Sequence, residues 1–282
     1  MIYEKYNGSG VSVNIENVSE SDPYTEVGAK AFLSCKDVYE IKLPETICKI
    51  NDWAFAHMKE LKRITIPAGK ISIGKDVFLD CNNLKEIVVY PDNSNNSGAP
   101  FLLASCITVL NAPELLDFDM AANQNDAWCE LYDKKLVHYI CQNDEIGFQP
   151  VIVGWFNDEG EEEQLTRYIE KTKSYKIRLS FLRLKYDANI DELAKETFLS
   201  YLKKQIKLLD DGDDLVWSIL RELLSDDIQY AKLAVTNDLL GEELILRLIK
   251  YLNDNNASTE ISAYLLLSLN GNNKNIDQQF EL

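Results

Sequence analysis

The sequence predicts an α+β protein, a short β-solenoid followed by an all-α helical array. Three observations lead there. Phenylalanine recurs at 32, 55, 78 and 101, a constant interval of 23. Aliphatic columns keep the same register. After Pro113 the register is lost, and from about residue 150 helical spacing replaces it.

Phenylalanine supplies only 10 of 282 residues, so four at one spacing set a period. Val38, Leu61, Leu84 and Ile107 form a second column; Ile41, Ile64, Ile87 and Leu110 a third; Leu43, Ile66, Val89 and Ala112 a fourth. Ala31, Ala54 and Val77 precede the Phe, while Cys35, Met58, Cys81 and Ala104 follow it by three. A turn this short cannot bury its own apolar face, so successive turns must stack. Glu40-Ile41-Lys42-Leu43 and Arg63-Ile64-Thr65-Ile66 alternate as strands do, and Pro44 and Pro67 end them because proline cannot donate to the ladder. Each Phe is expected to stack on the Phe of the next turn. Val11, Val13, Ile15 and Val18 are expected to form a first, degenerate turn, with Ile15 and Val18 standing 23 before Val38 and Ile41.

Beyond Pro113, Leu131 to Ile140 reads as two short strands around Asp133-Lys134-Lys135, a hairpin that would close the open end of the solenoid; an early helix is the alternative. The acids Asp158, Glu159 and Glu161 to Glu163 suit a helix start. Helices are then expected over 191–209, 213–224, 227–235, 241–252 and 258–269, with acidic or Asn-rich turns. The division is therefore 1–118 for the solenoid, 119–155 for a closing hairpin or linker, and 156–282 for a helical repeat-like domain.

Gly28-Ala29-Lys30-Ala31-Phe32-Leu33-Ser34-Cys35, Ile41-Lys42-Leu43-Pro44 and Ile73-Gly74-Lys75-Asp76-Val77-Phe78-Leu79-Asp80-Cys81 resemble the bacterial leucine-rich repeats called BspA-like, over about residues 15–113. The fourth turn departs from that pattern, with Asp92 to Gly98 replacing the Ile-Gly run. The helix pair from Glu242 to Leu269 is similar to an ankyrin-type pair. The resemblance implies a leucine-rich-repeat solenoid and a binding role. Members of the family are commonly bacterial surface or host-contact proteins.

Composition narrows the function. The net charge is −17, from 46 acids against 29 bases. Residues 1–118 carry 11 bases and 16 acids, and 119–282 carry 18 and 30, so both halves repel phosphate backbones and nucleic acid is not an expected partner. No run of about 18 apolar residues is present to span a membrane. The N-terminus lacks a signal-peptide core, so the expected location is cytoplasmic, with the cell surface as the alternative if a leader precedes this sequence. Six cysteines without a C-x-x-C and only two histidines argue against a zinc site, and Cys35 and Cys81 read as buried free thiols.

No catalytic, metal or cofactor residue emerges. Gly69-Lys70 and Gly74-Lys75 lack the rest of a phosphate loop. His57 and His138 read as structural or solvent-facing. Asp210, Asp211, Asp213 and Asp214 resemble a calcium loop by composition alone and read as a helix-capping loop. Lys171, Lys173, Lys176, Arg178, Arg183 and Lys185 have no acid among them; they read as bases facing acidic neighbouring helices, the alternative being a patch for an acidic partner.

The expected function is therefore non-enzymatic: a scaffold that binds an unidentified protein partner on its strand face. That face would present Tyr39, Lys62, Lys85 and Thr108; Glu40, Arg63, Glu86 and Val109; and Lys42, Thr65, Val88 and Asn111. A surface or host-contact protein is the alternative, and an enzyme with a site between solenoid and helices is the second alternative. The oligomeric state is open.

Overall fold

A computed structural model describes residues 1–68, 71–90, 98–116, 126–150 and 160–269, with the side chains of 210 and 211 excepted. The Gly69-Lys70 pair, the run 92–97, the acids 158 and 159 and most of the linker 119–155 outside the helix below lie outside the described residues.

The chain divides into two units. The first is Met1–Leu136 with Tyr186–Asp191, and the second is Val137–Lys185 with Glu192–Leu282. The first unit holds a β-solenoid of short strands: β1 Ile2–Tyr3, β2 Ser12–Asn14, β3 Glu26–Val27, β4 Glu40–Lys42, β5 Lys49–Ile50, β6 Arg63–Pro67, β7 Ser72–Ile73 and β8 Glu86–Tyr90. These form two parallel sheets, β1-β3-β5-β7 and β2-β4-β6-β8. In the second sheet Ile41, Ile64 and Ile87 are partners in register and fully buried, as the 23-residue period predicts.

The Ala-Phe turns make a third hydrogen-bonded side. The Phe32 N–H donates to the Ala54 carbonyl at 2.7 Å, and the Phe55 N–H to Val77 at 3.0 Å. Phe32, Phe55 and Phe78 stack with centroids 5.4 Å apart at each step, and Tyr3 and Tyr6 extend the stack beyond Phe32 at 5.6 and 5.1 Å. Two residues of each turn take left-handed backbone: Lys30, Trp53 and Asp76 in one column, Ser34, His57 and Asp80 in the other, all with φ between 49° and 60°.

The structure corrects the first turn. Val13, not Val18, partners Ile41, an offset of 28. A longer connection between β2 and β3 absorbs the difference, and it leaves Val18 71% exposed. Cys81 is buried as expected, and burial pushes its thiol up to about 11; Cys35 is only half-buried.

The fourth turn is also corrected. Ala99–Thr108 is a helix, α1, and Phe101 stacks on Tyr186 at 5.3 Å instead of on Phe78. The reason lies at Pro100. In two of the three earlier turns the residue before Phe donates its own N–H within the turn, Ala31 to Gly28 at 3.2 Å and Ala54 to Asn51 at 3.3 Å. Proline has no N–H to give, but it fits the first turn of a helix, where that group is unused. The helix packs on β8 and covers the edge that a further strand would have occupied.

Gly98 precedes α1 with φ +80°, and a Cβ there would lie 2.0 Å from Cδ1 of Tyr186. Gly98→Ala is expected to destabilise the first unit by about 2 kcal/mol through strain and overlap together. Urea denaturation measures this, and an unchanged midpoint would rule out the close approach.

The expected hairpin over 131–140 is a helix, α2, Asp126–Cys141. Trp128, Cys129, Tyr132, Leu136 and Ile140 are its buried apolar positions, with Asp133 buried beside them, a helical period that a window opening at 131 truncates to an alternation. The Trp128 indole N–H donates to the Leu115 carbonyl at 2.9 Å, and Tyr132 shares a 2.8 Å hydrogen bond with Ser105 of α1.

The remaining helices belong to the second unit: α3 Glu161–Lys185, α4 Glu192–Lys207, α5 Asp214–Asp226, α6 Ile228–Thr236, α7 Glu242–Asp254 and α8 Thr259–Leu269. The last four match the expected spans to within two residues at each end. α3 packs on α4, α5 and α6, and α8 on α6 and α7. Asp213 caps α5, its carboxylate accepting from the Val216 N–H at 3.0 Å, which is the capping role read from the sequence.

Candidate interaction surface

Strand alternation points every second residue of β4, β6 and β8 into the solenoid and the others outward. The outward set forms rows across the sheet. Glu40, Arg63 and Glu86 are register partners, as are Lys42, Thr65 and Val88. Just ahead of the strands, the Lys62 N–H donates to the Tyr39 carbonyl at 2.8 Å and the Lys85 N–H to the Lys62 carbonyl at 3.0 Å, which aligns a third row. All nine expected residues therefore lie on one face. Thr108, Val109 and Asn111 do not: Thr108 ends α1, and Val109 and Asn111 follow it.

The rows differ in charge. Arg63 Nε sits 3.8 Å from a Glu40 oxygen and 3.4 Å from a Glu86 oxygen, so its charge is shared between neighbouring turns. Such half-exposed pairs add little stability. Tyr39, Lys42, Lys62 and Lys85 are exposed. Four bases against two acids give the nine residues a local excess of positive charge on a chain of net −17.

Two features of this face escaped the sequence reading. Tyr90 is exposed at the end of β8, and Lys42 Nζ lies 5.1 Å from its ring centroid. Its signal was available, since it continues the alternation two residues beyond Val88. Ser12 and Asn14 of β2 extend two of the rows, and the 28-residue offset concealed them.

The opposite sheet offers less. Its outward residues include Glu26 and Lys49, paired at 3.2 Å; the Asn51 side chain and Lys49 together hold the Glu26 carboxyl below its usual range.

The basic stretch 171–185 lies in α3 and is largely consumed inside the second unit. Lys173 pairs with Asp213, Lys176 with Asp144 at 2.6 Å, Arg178 with both oxygens of Glu222 at 3.0 and 2.7 Å, and Lys185 with Asp227 at 2.5 Å. Desolvation raises the Asp213 carboxyl, but Lys173 and the Val216 N–H outweigh it and hold the group below its usual range. Arg183 is fully buried, and Lys171 is exposed beside the Tyr175 ring.

Each histidine makes one local polar contact. His57 Nδ1 lies 2.8 Å from Asp80 on the next turn, and His138 lies 2.7 Å from the Gln142 amide. Among the described residues no group of three or more His, Cys, Asp or Glu converges to hold a metal ion, and no helix is long and apolar enough to cross a membrane.

Comparison with known proteins identifies the repeat. The BspA type Leucine rich repeat region matches residues 10–125 in six copies. The match begins just before β2 and takes in α1; it does not reach the helices of the second unit. No curated protein and no solved structure matches the chain.

Proposed function

Residues 10–125 being a BspA-type leucine-rich repeat region, we propose that the chain is a non-enzymatic scaffold that binds a protein partner on the β2-β4-β6-β8 face. Repeats of this type suit protein–protein interaction or a surface role, and the choice of face is our own reading. The observation that carries it is the three aligned rows, in which Lys62 and Lys85 stand exposed beside Tyr39 while the rest of the chain is acidic. Tyrosine on a rigid ladder makes contacts at little entropic cost, and the basic side chains beside it add charge. The excess of positive charge favours an acidic segment on the partner and speeds its approach.

Reversing Lys62, Arg63 and Lys85 together to Glu tests the face. The substitution changes charge by six on exposed positions and leaves every buried column intact. A partner captured by the wild-type chain is expected to bind the variant at least roughly a hundredfold more weakly, with the loss concentrated in the association rate and in its salt dependence. Retention at full affinity excludes this face. The intact chain is the proper bait, because Tyr186–Asp191 contribute to the first unit.

A cell-surface or host-contact role is the second reading, supported by the same repeat type. Fractionating cells that make the protein decides it, since a protein found only in the cytosol removes this reading.

A further inference from the structure

The second unit carries an open groove of about 760 Å³, bordered by the end of α2 with the loop that follows, α3 and α4. Its volume is that of a small-molecule site. Lys176 of α3 is 1% exposed, and its ammonium donates to the Gln142 carbonyl at 2.5 Å and to Asp144 Oδ1 at 2.6 Å. Tyr201 and Gln205 stand one helical turn apart on α4 and also line the groove. Tyr201 Oη and Gln205 Oε1 are both buried, and neither has a hydrogen-bond partner. Gln205 as a whole is only 7% exposed.

Two orphans that line one groove are unusual. A buried polar atom without a partner carries the full cost of its desolvation, and folded proteins avoid this except where something else completes the bond. Phe and Leu would fill the same volume at no such cost. Both oxygens are therefore available to the polar groups of a ligand that enters the groove.

Donor and acceptor chemistry narrows that ligand. Gln205 Oε1 can only accept. Tyr201 Oη can do both, and burial pushes its phenol up so that it keeps its proton. The four charged groups of the lining cancel, Asp144 and Glu196 against Lys176 and Lys204, so the groove does not select a charged ligand. Neighbouring hydroxyls on a neutral ligand meet both needs, one donating to Gln205 Oε1 and the other taking either role with Tyr201 Oη. We infer that this groove binds a small neutral polyhydroxyl compound of the saccharide class, with Tyr201 Oη and Gln205 Oε1 as its anchoring contacts. Both atoms are covered in the free protein, so the ligand reaches them by displacing side chains at the rim. Exposed Glu196 and Lys204 move on the nanosecond scale.

Ligand-observed saturation-transfer NMR on the full chain tests this, with glucose, N-acetylglucosamine and cellotriose as probes and putrescine and glutamate as charged comparators. At least one sugar is expected to receive saturation, and Tyr201→Phe and Gln205→Leu are each expected to weaken its binding roughly tenfold. In the absence of sugar both variants should melt at the wild-type temperature or above it, because each removes an orphan. A lowered melting temperature would instead mean that a buried water ties the two atoms into the fold, and would overturn the inference. So would a preference for either charged comparator, sugar binding unchanged in both variants, or no saturation of any sugar. Should Gln205→Leu fail to fold, Tyr201→Phe alone decides, since it removes one oxygen and no carbon.

Discussion

Phe55→Ala is expected to destabilise the solenoid by about 3–5 kcal/mol. Phe55 is fully buried and is the middle ring of the stack, with Phe32 and Phe78 each 5.4 Å away. Truncation removes the transfer energy of the ring and leaves a cavity that the neighbours cannot fill, because the hydrogen bonds from the Phe32, Phe55 and His57 amides hold the turns at fixed spacing. In a quasi-one-dimensional structure such a gap also separates the turns on either side of it. Phe78→Ala should cost less, since Phe78 is 7% exposed and is followed by α1 instead of another ring. Hydrogen exchange resolved by peptide reads the effect locally: protection should fall in β4 to β8 and be unchanged in α5 to α8. A loss below about 1 kcal/mol, or equal losses for the two substitutions, would mean that the stack is not the spine of the unit.

The part of the fold legible in the sequence is the part with a period. Three phenylalanines and three aliphatic columns define the turns because each position repeats one environment, and buried Ile41, Ile64 and Ile87 could be placed from spacing alone. The outward rows followed by alternation, so the nine face residues came together without reference to their chemistry. Helices α5 to α8 were readable from apolar spacing and from Asp or Gly breaks.

What escaped had no period to announce it. Pro100 suits the first turn of a helix in the fourth turn, while Phe101, Ile107 and Leu110 keep the register of a turn and a strand that do not form. The left-handed positions are occupied by Lys30, Trp53, Asp76, Ser34, His57 and Asp80, none of them glycine, so nothing local betrays the backbone there. Tyr186 meets Phe101 from 85 positions further along the chain, a contact that no sequence window contains. The groove of the second unit rests on Lys176, Tyr201 and Gln205; Tyr201 falls on the apolar spacing of its helix, whereas Lys176 and Gln205 look like ordinary helix-surface residues until their burial is known. Lysine in a basic stretch reads as exposed, and Lys176 is not.

That burial has a large consequence of its own. Asp144→Ala is expected to destabilise the second unit by about 3 kcal/mol, at the lower end of what breaking a buried ion pair costs. The loss does not come from the aspartate, whose side chain is 30% exposed and can return to water. It comes from Lys176, whose ammonium is left 1% exposed with the Gln142 carbonyl and the face of Tyr139, 5.5 Å away, as its remaining partners. Lys176→Met removes the charge itself, and the exposed part of Asp144 then hydrates, so this variant should cost about 1 kcal/mol. The double variant should then be about as stable as Lys176→Met alone. Chemical denaturation of the four proteins closes a double-mutant cycle, and the coupling is expected to be about 3 kcal/mol in magnitude. Additive losses would show that water reaches Lys176 in the folded protein, and that the groove beside it is wetter than its two orphaned oxygens imply.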